Sequence, residues 1–474
     1  MWGSFHLDDY SILGDPLLTR ISGAWEVWQP ARVRPLTYFT LWLNYQAGGA
    51  DPFGYHLVNW LLHLVSVWLC ARTMTRLLPA TGALLATTLF ALHPIQTETV
   101  AYVFARSTLL CGLCCWLAIL MWAQRRTWLT VAACALALLA KEEAVALPVV
   151  IALLEWSQTR SAAKWRPIAA MLGLALAVGA RGLFITATQA GTGAMASAGV
   201  TPLAYLATQS YVLLRYAGEI VAPVALNFDP DLAPWNNAAG WGLWLIWIGA
   251  VAWAVRRFQQ GGCWLLIALA FLAPTSTVLP INDLSADRRL YLVLAAVGAA
   301  IAKAWPGIPA RLVLALGAIG LVLAFNRSLT WRTEESLWRD TVAKSPAKVR
   351  PRVQLARSVA ASEALRILGP GEDALTLAER GRVLMELSRP ADALQAFGRV
   401  LAMDPGDAAA LTNRGVALAA LGQTEAARSD FARALARDAC FFPALRNMRR
   451  MGFAVKVDAG CQFSASQREA LEGR

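Results

Sequence analysis

Two adjacent carboxylates near the start of the chain, Asp8 and Asp9, are the residues whose chemistry could organise a reaction centre. They lie in a polar stretch just ahead of a long hydrophobic region. Neighbouring carboxylates beside a membrane are costly unless they face water, a cation or a reacting group. We interpret the pair as a catalytic centre; the alternative is a surface loop or a helix cap, where isolated Asp residues are common.

Further polar residues interrupt the hydrophobic region at its turns. His93 precedes Pro94 at a predicted helix start, and Glu98 follows about one helical turn later. These two could serve a site, or they could form a cap and a satisfied polar pair. Glu142 and Glu143 stand between two apolar runs, where they either line a site or form a short solvated turn.

Composition indicates the class of protein that holds these residues in place. Of its 474 residues 57% are hydrophobic and only 16% charged, which is typical of an integral membrane protein with a soluble appendage. The net charge of +12 could suggest nucleic acid, but the basic residues form short clusters between apolar runs, as the positive-inside rule describes. We therefore expect a membrane partner and no nucleic acid.

The apolar runs predict roughly ten membrane crossings by helices. Their approximate limits are 55–77, 80–92, 100–123, 128–140, 144–156, 168–186, 240–255, 264–280, 290–302 and 312–325. Clusters such as Arg125/Arg126, Arg160/Lys164 and Arg256/Arg257 then fall on one side, which is predicted to be cytoplasmic. The acidic loops and everything after Asn326 fall on the other side.

This arrangement leaves the N-terminus outside with no preceding helix to carry it across. We expect that a first transmembrane helix is missing from the chain as given; the alternative is an N-terminus that translocates unaided. A further segment, 201–226, has an amphipathic helical pattern. It predicts a helix on the outer leaflet, although a helix packed on the bundle would have the same pattern.

Candidate metal ligands are few. His56 and His63 lie about two turns apart in one helix and are interpreted as packing or hydrogen-bonded residues. Cys111 and Cys114 form a CxxC spacing with no partner pair, so we predict buried thiols and no metal site. The sequence indicates no cofactor, and whether a divalent cation binds is left open.

The end of the chain contains an internal repeat. Gly381, Leu384 and Phe397 recur 34 positions later as Gly415, Leu418 and Phe431, and 34 residues is the tetratricopeptide period. In the same tail lie Cys440 and Cys461, which could pair if the compartment is oxidising.

Several motifs occur in a fixed order along the chain, and together they carry a family resemblance. They are Asp8-Asp9, Arg34-Pro35-Leu36, Leu43-Asn44-Tyr45, Pro52-Phe53-Gly54-Tyr55-His56-Leu57-Val58-Asn59, Leu62-His63, Phe90-Ala91-Leu92-His93-Pro94 with Glu98, Ala105-Arg106, Lys141-Glu142, and Asp287-Arg288 with Leu290-Tyr291-Leu292. The chain thereby resembles the GT-C superfamily of polyprenyl-phosphate-sugar glycosyltransferases. Within it, the transmembrane and tetratricopeptide-containing protein O-mannosyltransferases and their bacterial relatives are most similar.

Two details depart from the family pattern besides the missing first helix. Asp287-Arg288 stands where the family has Glu-Arg, and Val293-Leu294 replaces the Pro-Ser that usually follows. The first helix that we expect to be missing would put activity of the chain as given in doubt.

The resemblance implies an all-α fold, a GT-C-like polytopic bundle followed by a short tetratricopeptide solenoid. It implies transfer of a sugar, mannose by similarity, from a polyprenyl-phosphate donor to a protein hydroxyl in one inverting displacement. Asp8 or Asp9 would be the base. Arg106, Lys141 or Arg288 would contact the lipid phosphate, unless each is only an interfacial side chain or an ion-pair partner. The remaining expected substrate-site residues are Arg34, His93, Glu98, Glu142 and Asp287.

We expect an outer-face loop over 1–53, a membrane domain over 54–326, a helical connector or degenerate repeat over 327–372, and repeats over 373–474. The repeats would present a protein acceptor on the non-cytoplasmic side of a bacterial inner membrane. One alternative is a non-catalytic scaffold for envelope or polysaccharide assembly; a transporter fits less well, because the charges cluster at the membrane face and not mid-span.

Overall fold

The architecture comes from a computed structural model, which describes residues 3–29, 32–159, 165–188, 200–277, 280–458, 460, 461, 463 and 465–472. Within these residues every regular element is a helix, as the sequence predicts, and no strand occurs. The chain divides into two compact units, Met1–Leu337 and Trp338–Arg474. The finer boundaries expected at residues 53, 326 and 372 stay predictions.

Sixteen α-helices form the described part of the first unit. They are α1 (Asp9–Leu13), α2 (Pro16–Thr19), α3 (Gly23–Glu26), α4 (Pro35–Gly48), α5 (Pro52–Leu77), α6 (Ala80–Leu92), α7 (Gln96–Ala101), α8 (Arg106–Ala123), α9 (Thr127–Ala140), α10 (Leu147–Thr159), α11 (Trp165–Thr188), α12 (Pro202–Val221), α13 (Ala238–Arg256), α14 (Gly262–Leu272), α15 (Val293–Ala304) and α16 (Ala310–Thr330). Short 3₁₀ helices occupy Val103–Ala105, Glu142–Ala146, Phe258–Gln260, Ala273–Thr275 and Asp287–Leu290.

The segment expected as a polar loop, 1–53, is helical over much of its length and contains α1 to α4. The expectation of a loop was wrong because apolar residues spaced among polar ones form a small core of their own. Leu17, Leu18 and Leu41 are almost completely buried in it. The membrane face on which this segment lies stays a prediction.

Four helices in the described residues are long and apolar enough to cross a membrane. They are α5, α13, α16 and the continuous segment Val103–Ala123 that contains α8. The shortest has 19 residues, which at about 1.5 Å per residue matches a hydrocarbon core of about 30 Å. The predicted total of about ten crossings stays a prediction, and Arg160 and Lys164, on which the predicted sidedness partly rests, lie outside the described residues.

The core of the first unit is built around α8. Its buried side chains, among them Cys115 and Trp116, pack with those of α5 and α9. Gly112 is needed on this helix, because a Cβ there would lie 2.4 Å from the Tyr291 ring. All six cysteines of the apolar runs are buried and form no disulfide, as expected of small hydrophobic side chains.

Helix α12 packs on the bundle, which is the second of the two alternatives left open for segment 201–226. Tyr205 donates a hydrogen bond to the Thr275 carbonyl at 2.7 Å, and Tyr216 donates to the Ala286 carbonyl at 3.1 Å. Both tyrosines are almost completely buried. The bond from Tyr216 fixes the chain just ahead of Asp287.

The second unit consists of short helices in antiparallel pairs. Helix α17 (Glu334–Lys344) spans the division between the units; after it come α18 (Val349–Ser358), α19 (Ala361–Leu368), α20 (Ala374–Glu386), α21 (Pro390–Met403), α22 (Ala408–Ala420), α23 (Thr424–Arg437), α24 (Phe442–Arg450) and α25 (Ala465–Glu472). The two clear repeats are α20/α21 and α22/α23. In the second, the Phe431 ring lies against Gly415, where a Cβ would be 2.6 Å from the ring.

A disulfide joins Cys440 and Cys461 in the second unit. It closes the segment after α24, where Leu445, Phe463 and Leu471 form a small hydrophobic cluster. The bond therefore holds the last described residues against the end of the repeats.

Candidate active site

Asp8 lies at the start of α1 and faces Tyr102, the residue just ahead of the Val103–Ala105 turn. The Tyr102 hydroxyl donates a hydrogen bond to Asp8 Oδ2 at 2.9 Å, and the Asp8 backbone N–H donates to the same hydroxyl oxygen at 3.3 Å. Asp8 is only partly buried. Its other carboxylate oxygen accepts no hydrogen bond from the described residues, so it is available to a substrate.

Asp9 has a different environment. It is completely buried, its Oδ2 accepts the backbone N–H of His6 at 3.0 Å and its Oδ1 accepts that of Phe104 at 2.7 Å. Burial raises its pKa to about 7, although the backbone donors oppose this shift. Asp9 therefore joins the N-terminal segment to the start of α8, while Asp8 points outward.

Tyr102 connects Arg288 to Asp8, because its hydroxyl binds Asp8 and its ring lies against Arg288. The Arg288 guanidinium is 6.0 Å from the ring centroid, a cation–π distance. It donates to Glu98 Oε1 at 2.7 Å and to Asp283 Oδ2 at 3.0 Å. Three of the predicted residues, Asp8, Glu98 and Arg288, are thus brought together, and Tyr102 connects them.

Two further buried carboxylates, Glu219 and Asp287, lie close enough to Glu98 of this ion pair for their charges to interact. Glu98, Glu219 and Asp287 each have one buried oxygen without a hydrogen-bond partner. Burial raises the pKa of Asp287 well above its usual range, and the nearby charges of Glu219 and Glu98 add to the shift. Among the described residues, however, no group of three or more His, Cys, Asp or Glu side chains is placed to hold a metal ion.

A second charged group forms around the turn between α9 and α10. Arg34 makes a bidentate ion pair with Glu142, with its Nε 2.9 Å from Oε2. Lys141 is buried and donates to Glu143 at 2.7 Å and to the Thr108 hydroxyl at 2.9 Å. Burial lowers the pKa of Lys141, although Glu143 opposes this shift. The predicted residues Arg34, Lys141 and Glu142 therefore lie in one charged group. The Arg34 side chain is partly exposed.

Two predicted site residues are instead enclosed in the structure. Arg106 is completely buried and donates to Asn59 Oδ1 at 2.8 Å, to Asn44 Oδ1 at 2.6 Å and to the Tyr55 carbonyl at 2.9 Å. It holds α4 and α5 against α8 and presents no free face to a phosphate.

His93 is the second enclosed residue. It accepts the Ile95 N–H through Nδ1 at 3.3 Å and donates from Nε2 to the Ile220 carbonyl at 3.0 Å. Burial lowers its pKa, although the Ile220 carbonyl opposes this shift. His93 therefore lies at the end of α6, where backbone groups satisfy both ring nitrogens.

An aromatic wall closes one side of the Asp8 site, and sequence reasoning missed it. The Tyr102 ring lies 5.4 Å from that of Phe228 and 6.1 Å from that of Trp331, centroid to centroid. His6, on the far side, hydrogen-bonds the Trp331 carbonyl at 3.1 Å and burial lowers its pKa to about 4. Tyr102 itself follows Glu98 by four residues, one helical turn, and that spacing could have revealed it.

Comparison with known proteins finds one repeat family and several similar transferases. The tetratricopeptide repeat family matches residues 379–439. Protein O-mannosyl-transferase Tmtc1 of Drosophila melanogaster is 41% identical over 140 residues, which are 28% of this chain and 16% of the relative. Tmtc3 of the same organism is 40% identical over 132 residues, covering 21% of this chain and 14% of the relative.

A mouse relative, protein O-mannosyl-transferase TMTC4, is 43% identical over 95 residues, covering 17% of this chain and 13% of the relative. The chain thus spans about a sixth or less of the length of these relatives. No solved structure matches the chain. The resemblance of this chain to the transmembrane and tetratricopeptide-containing protein O-mannosyltransferases is confirmed over the matched residues.

Proposed function

We propose that the chain is a membrane glycosyltransferase of protein O-mannosylation. It takes mannose from a polyprenyl-phosphate donor and transfers it to a protein hydroxyl on the non-cytoplasmic face of the membrane. The names of the relatives support the reaction class, and the sequence motifs of the GT-C superfamily support the lipid-linked donor. The observation that carries the proposal is the placement of partly exposed Asp8 beside Tyr102 and Arg288.

Asp8 is the base in this proposal, and Asp9 is its anchor. A base needs an accessible oxygen, which Asp8 has through Oδ1, whereas both oxygens of Asp9 already accept backbone hydrogen bonds. Asp8 takes the proton of the acceptor hydroxyl as its oxygen attacks the anomeric carbon. The bond from that carbon to the phosphate oxygen breaks, the polyprenyl phosphate leaves with the electron pair, and the anomeric configuration inverts.

Arg288 stabilises the leaving phosphate. It is partly exposed and already fixed by Glu98 and Asp283, so little reorganisation is needed when negative charge develops near it. Arg34 is a second contact, because its guanidinium remains a quarter exposed beside Glu142. Arg106 is not included, since its donors are taken up inside the protein.

The repeats bind the acceptor protein on the same side of the membrane. The disulfide between Cys440 and Cys461 supports this placement, since such bonds persist in oxidising compartments and are rare in the cytosol. Protease added to sealed, right-side-out spheroplasts should therefore cleave the repeat unit. Protection until the membrane is opened would contradict the proposed sidedness.

Donor dependence tests the reaction. The full chain, reconstituted in vesicles with an acceptor protein, is offered labelled mannose on polyprenyl phosphate or on a nucleotide. We expect label on the acceptor from the lipid-linked donor alone. Label from the nucleotide donor without added lipid, or no transfer from either donor, would contradict the proposal.

A further inference from the structure

A cleft lies at the end of the bundle opposite the Asp8 site. Helix α5 begins at Pro52 near the site and ends at the cleft after 26 residues, about 39 Å at 1.5 Å per residue. Helix α15 likewise begins at Val293, shortly after Asp287–Leu290, and ends at Ala304, next to the lining residue Lys303. No residue of the candidate active site lines it.

The lining of the cleft is amphipathic. Leu77, Leu154, Phe258 and Trp264 form an apolar part, whereas Ser157, Gln259 and Lys303 form a polar part. Its volume is about 80 Å³. Since one water needs roughly 10–15 Å³ of such volume, the space fits a small polar headgroup but no hydrocarbon chain. An occupant with chains would have to extend them along the apolar surface outside.

Lys303 is the charged group of the cleft, and its charge is not compensated by the described residues around it. Glu155 is a buried carboxylate that follows the lining residue Leu154 in the chain. It pairs with Arg125 at 3.2 Å and accepts a hydrogen bond from Trp122. Gln259 is held in place by a hydrogen bond to the Ser157 carbonyl at 3.1 Å. The amide oxygen of Gln259 accepts no hydrogen bond from the described residues.

Two more basic residues lie next to the lining in the sequence. Arg76 and Arg257 are exposed and are the chain neighbours of Leu77 and Phe258, although neither lines the cleft. Basic clefts between membrane helices on the predicted cytoplasmic side suit anionic lipid headgroups, since each basic residue near the surface contributes about 1 kcal/mol. A zwitterionic headgroup gains less from the charge of Lys303, because its own positive group opposes the attraction.

We propose that this cleft binds the phosphate headgroup of an anionic glycerophospholipid. Lys303 contacts the phosphate, Gln259 and Ser157 accept hydrogen bonds from the headgroup hydroxyls, and the acyl chains lie along the apolar surface next to Leu77 and Trp264. The site is separate from the transfer reaction and does not depend on it. Its occupant fixes the ends of α5, α10, α14 and α15 together at the membrane surface.

Native mass spectrometry of the full chain in detergent, titrated with dioleoylphosphatidylglycerol, tests the proposal. We expect one tightly bound lipid, with affinity reduced about fivefold in Lys303→Ala, the factor that corresponds to ~1 kcal/mol for one basic residue. Lys303→Arg should bind within twofold of the parent chain. Arg311→Ala removes an exposed basic residue at the start of α16, outside the cleft, and should also stay within twofold.

Two further titrations separate the occupants. Dioleoylphosphatidylcholine should bind at least fivefold more weakly than the anionic lipid, and inorganic phosphate at the same concentration should not displace it. Equal binding of the two lipids, or equal binding by Lys303→Ala and the parent chain, would overturn the proposal. Displacement by phosphate alone would show a site for free anions and would equally overturn the lipid assignment.

Discussion

Replacing Tyr102 by Phe removes one oxygen atom from the candidate site and leaves its aromatic packing. The ring keeps its contacts with Phe228 and Trp331 and its position under Arg288. What is lost is the 2.9 Å hydrogen bond to Asp8 and the weaker 3.3 Å bond from the Asp8 N–H. Hydrogen bonds to charged groups contribute about 1.5–3 kcal/mol, and about 1.4 kcal/mol is a factor of ten.

If Tyr102 orients Asp8 for proton transfer, the variant should lose roughly 10- to 100-fold in kcat with KM for the donor almost unchanged. Initial rates of sugar transfer from the lipid-linked donor measure both constants. Tyr205→Phe is the matched control, because it removes an equally buried hydroxyl that binds the Thr275 carbonyl and not Asp8. A Tyr102→Phe rate within twofold of the parent rate, or an equal loss in both variants, would refute the reasoning.

Three other predictions concern stability. Because burial raises the pKa of Asp9 from 3.8 to about 7, the folded chain holds a proton that the unfolded chain releases between pH ~4 and ~7. The free energy of unfolding should therefore fall as pH rises through that window. Asp9→Asn should reduce this dependence on pH, measured by thermal unfolding in detergent. An unchanged pH dependence would contradict the assignment. Gly415→Ala should destabilise the repeat unit by about 1–3 kcal/mol, since its Cβ would overlap the Phe431 ring; calorimetry should show no such loss for Gly398→Ala, where nothing lies within 4 Å. Cys440→Ser should lower the free energy of unfolding of the same unit by about 3 kcal/mol, given a sequence separation of 21 residues, and a reductant should have no further effect on it.

The helices of the hydrophobic region were largely predictable from the sequence. Apolar runs such as 80–92 and 128–140 coincide closely with α6 and α9, because an apolar run in a membrane has few alternatives to a helix. The repeats were equally predictable from their period. The small core of the N-terminal segment was not, since its apolar residues follow no long regular pattern.

The candidate site was predictable only in outline. The motifs named Asp8, Glu98 and Arg288, which the structure brings together around Tyr102. Sequence alone could not separate a charged residue that faces a substrate from one that holds helices together. Arg106 shows the difference, because its partners Asn44 and Asn59 lie 62 and 47 residues away and only the fold brings them to it.

The most direct test of the proposed base is the transfer rate of Asp8→Asn, measured with the lipid-linked donor beside Asp15→Asn as control. Asp15 is the cap of α2, where its side chain accepts the Leu17 N–H at 3.0 Å away from Tyr102. General base catalysis contributes about 10²–10⁴-fold, so Asp8→Asn should lose at least 100-fold in kcat while Asp15→Asn keeps the parent rate. Transfer by Asp8→Asn at the parent rate would contradict the account.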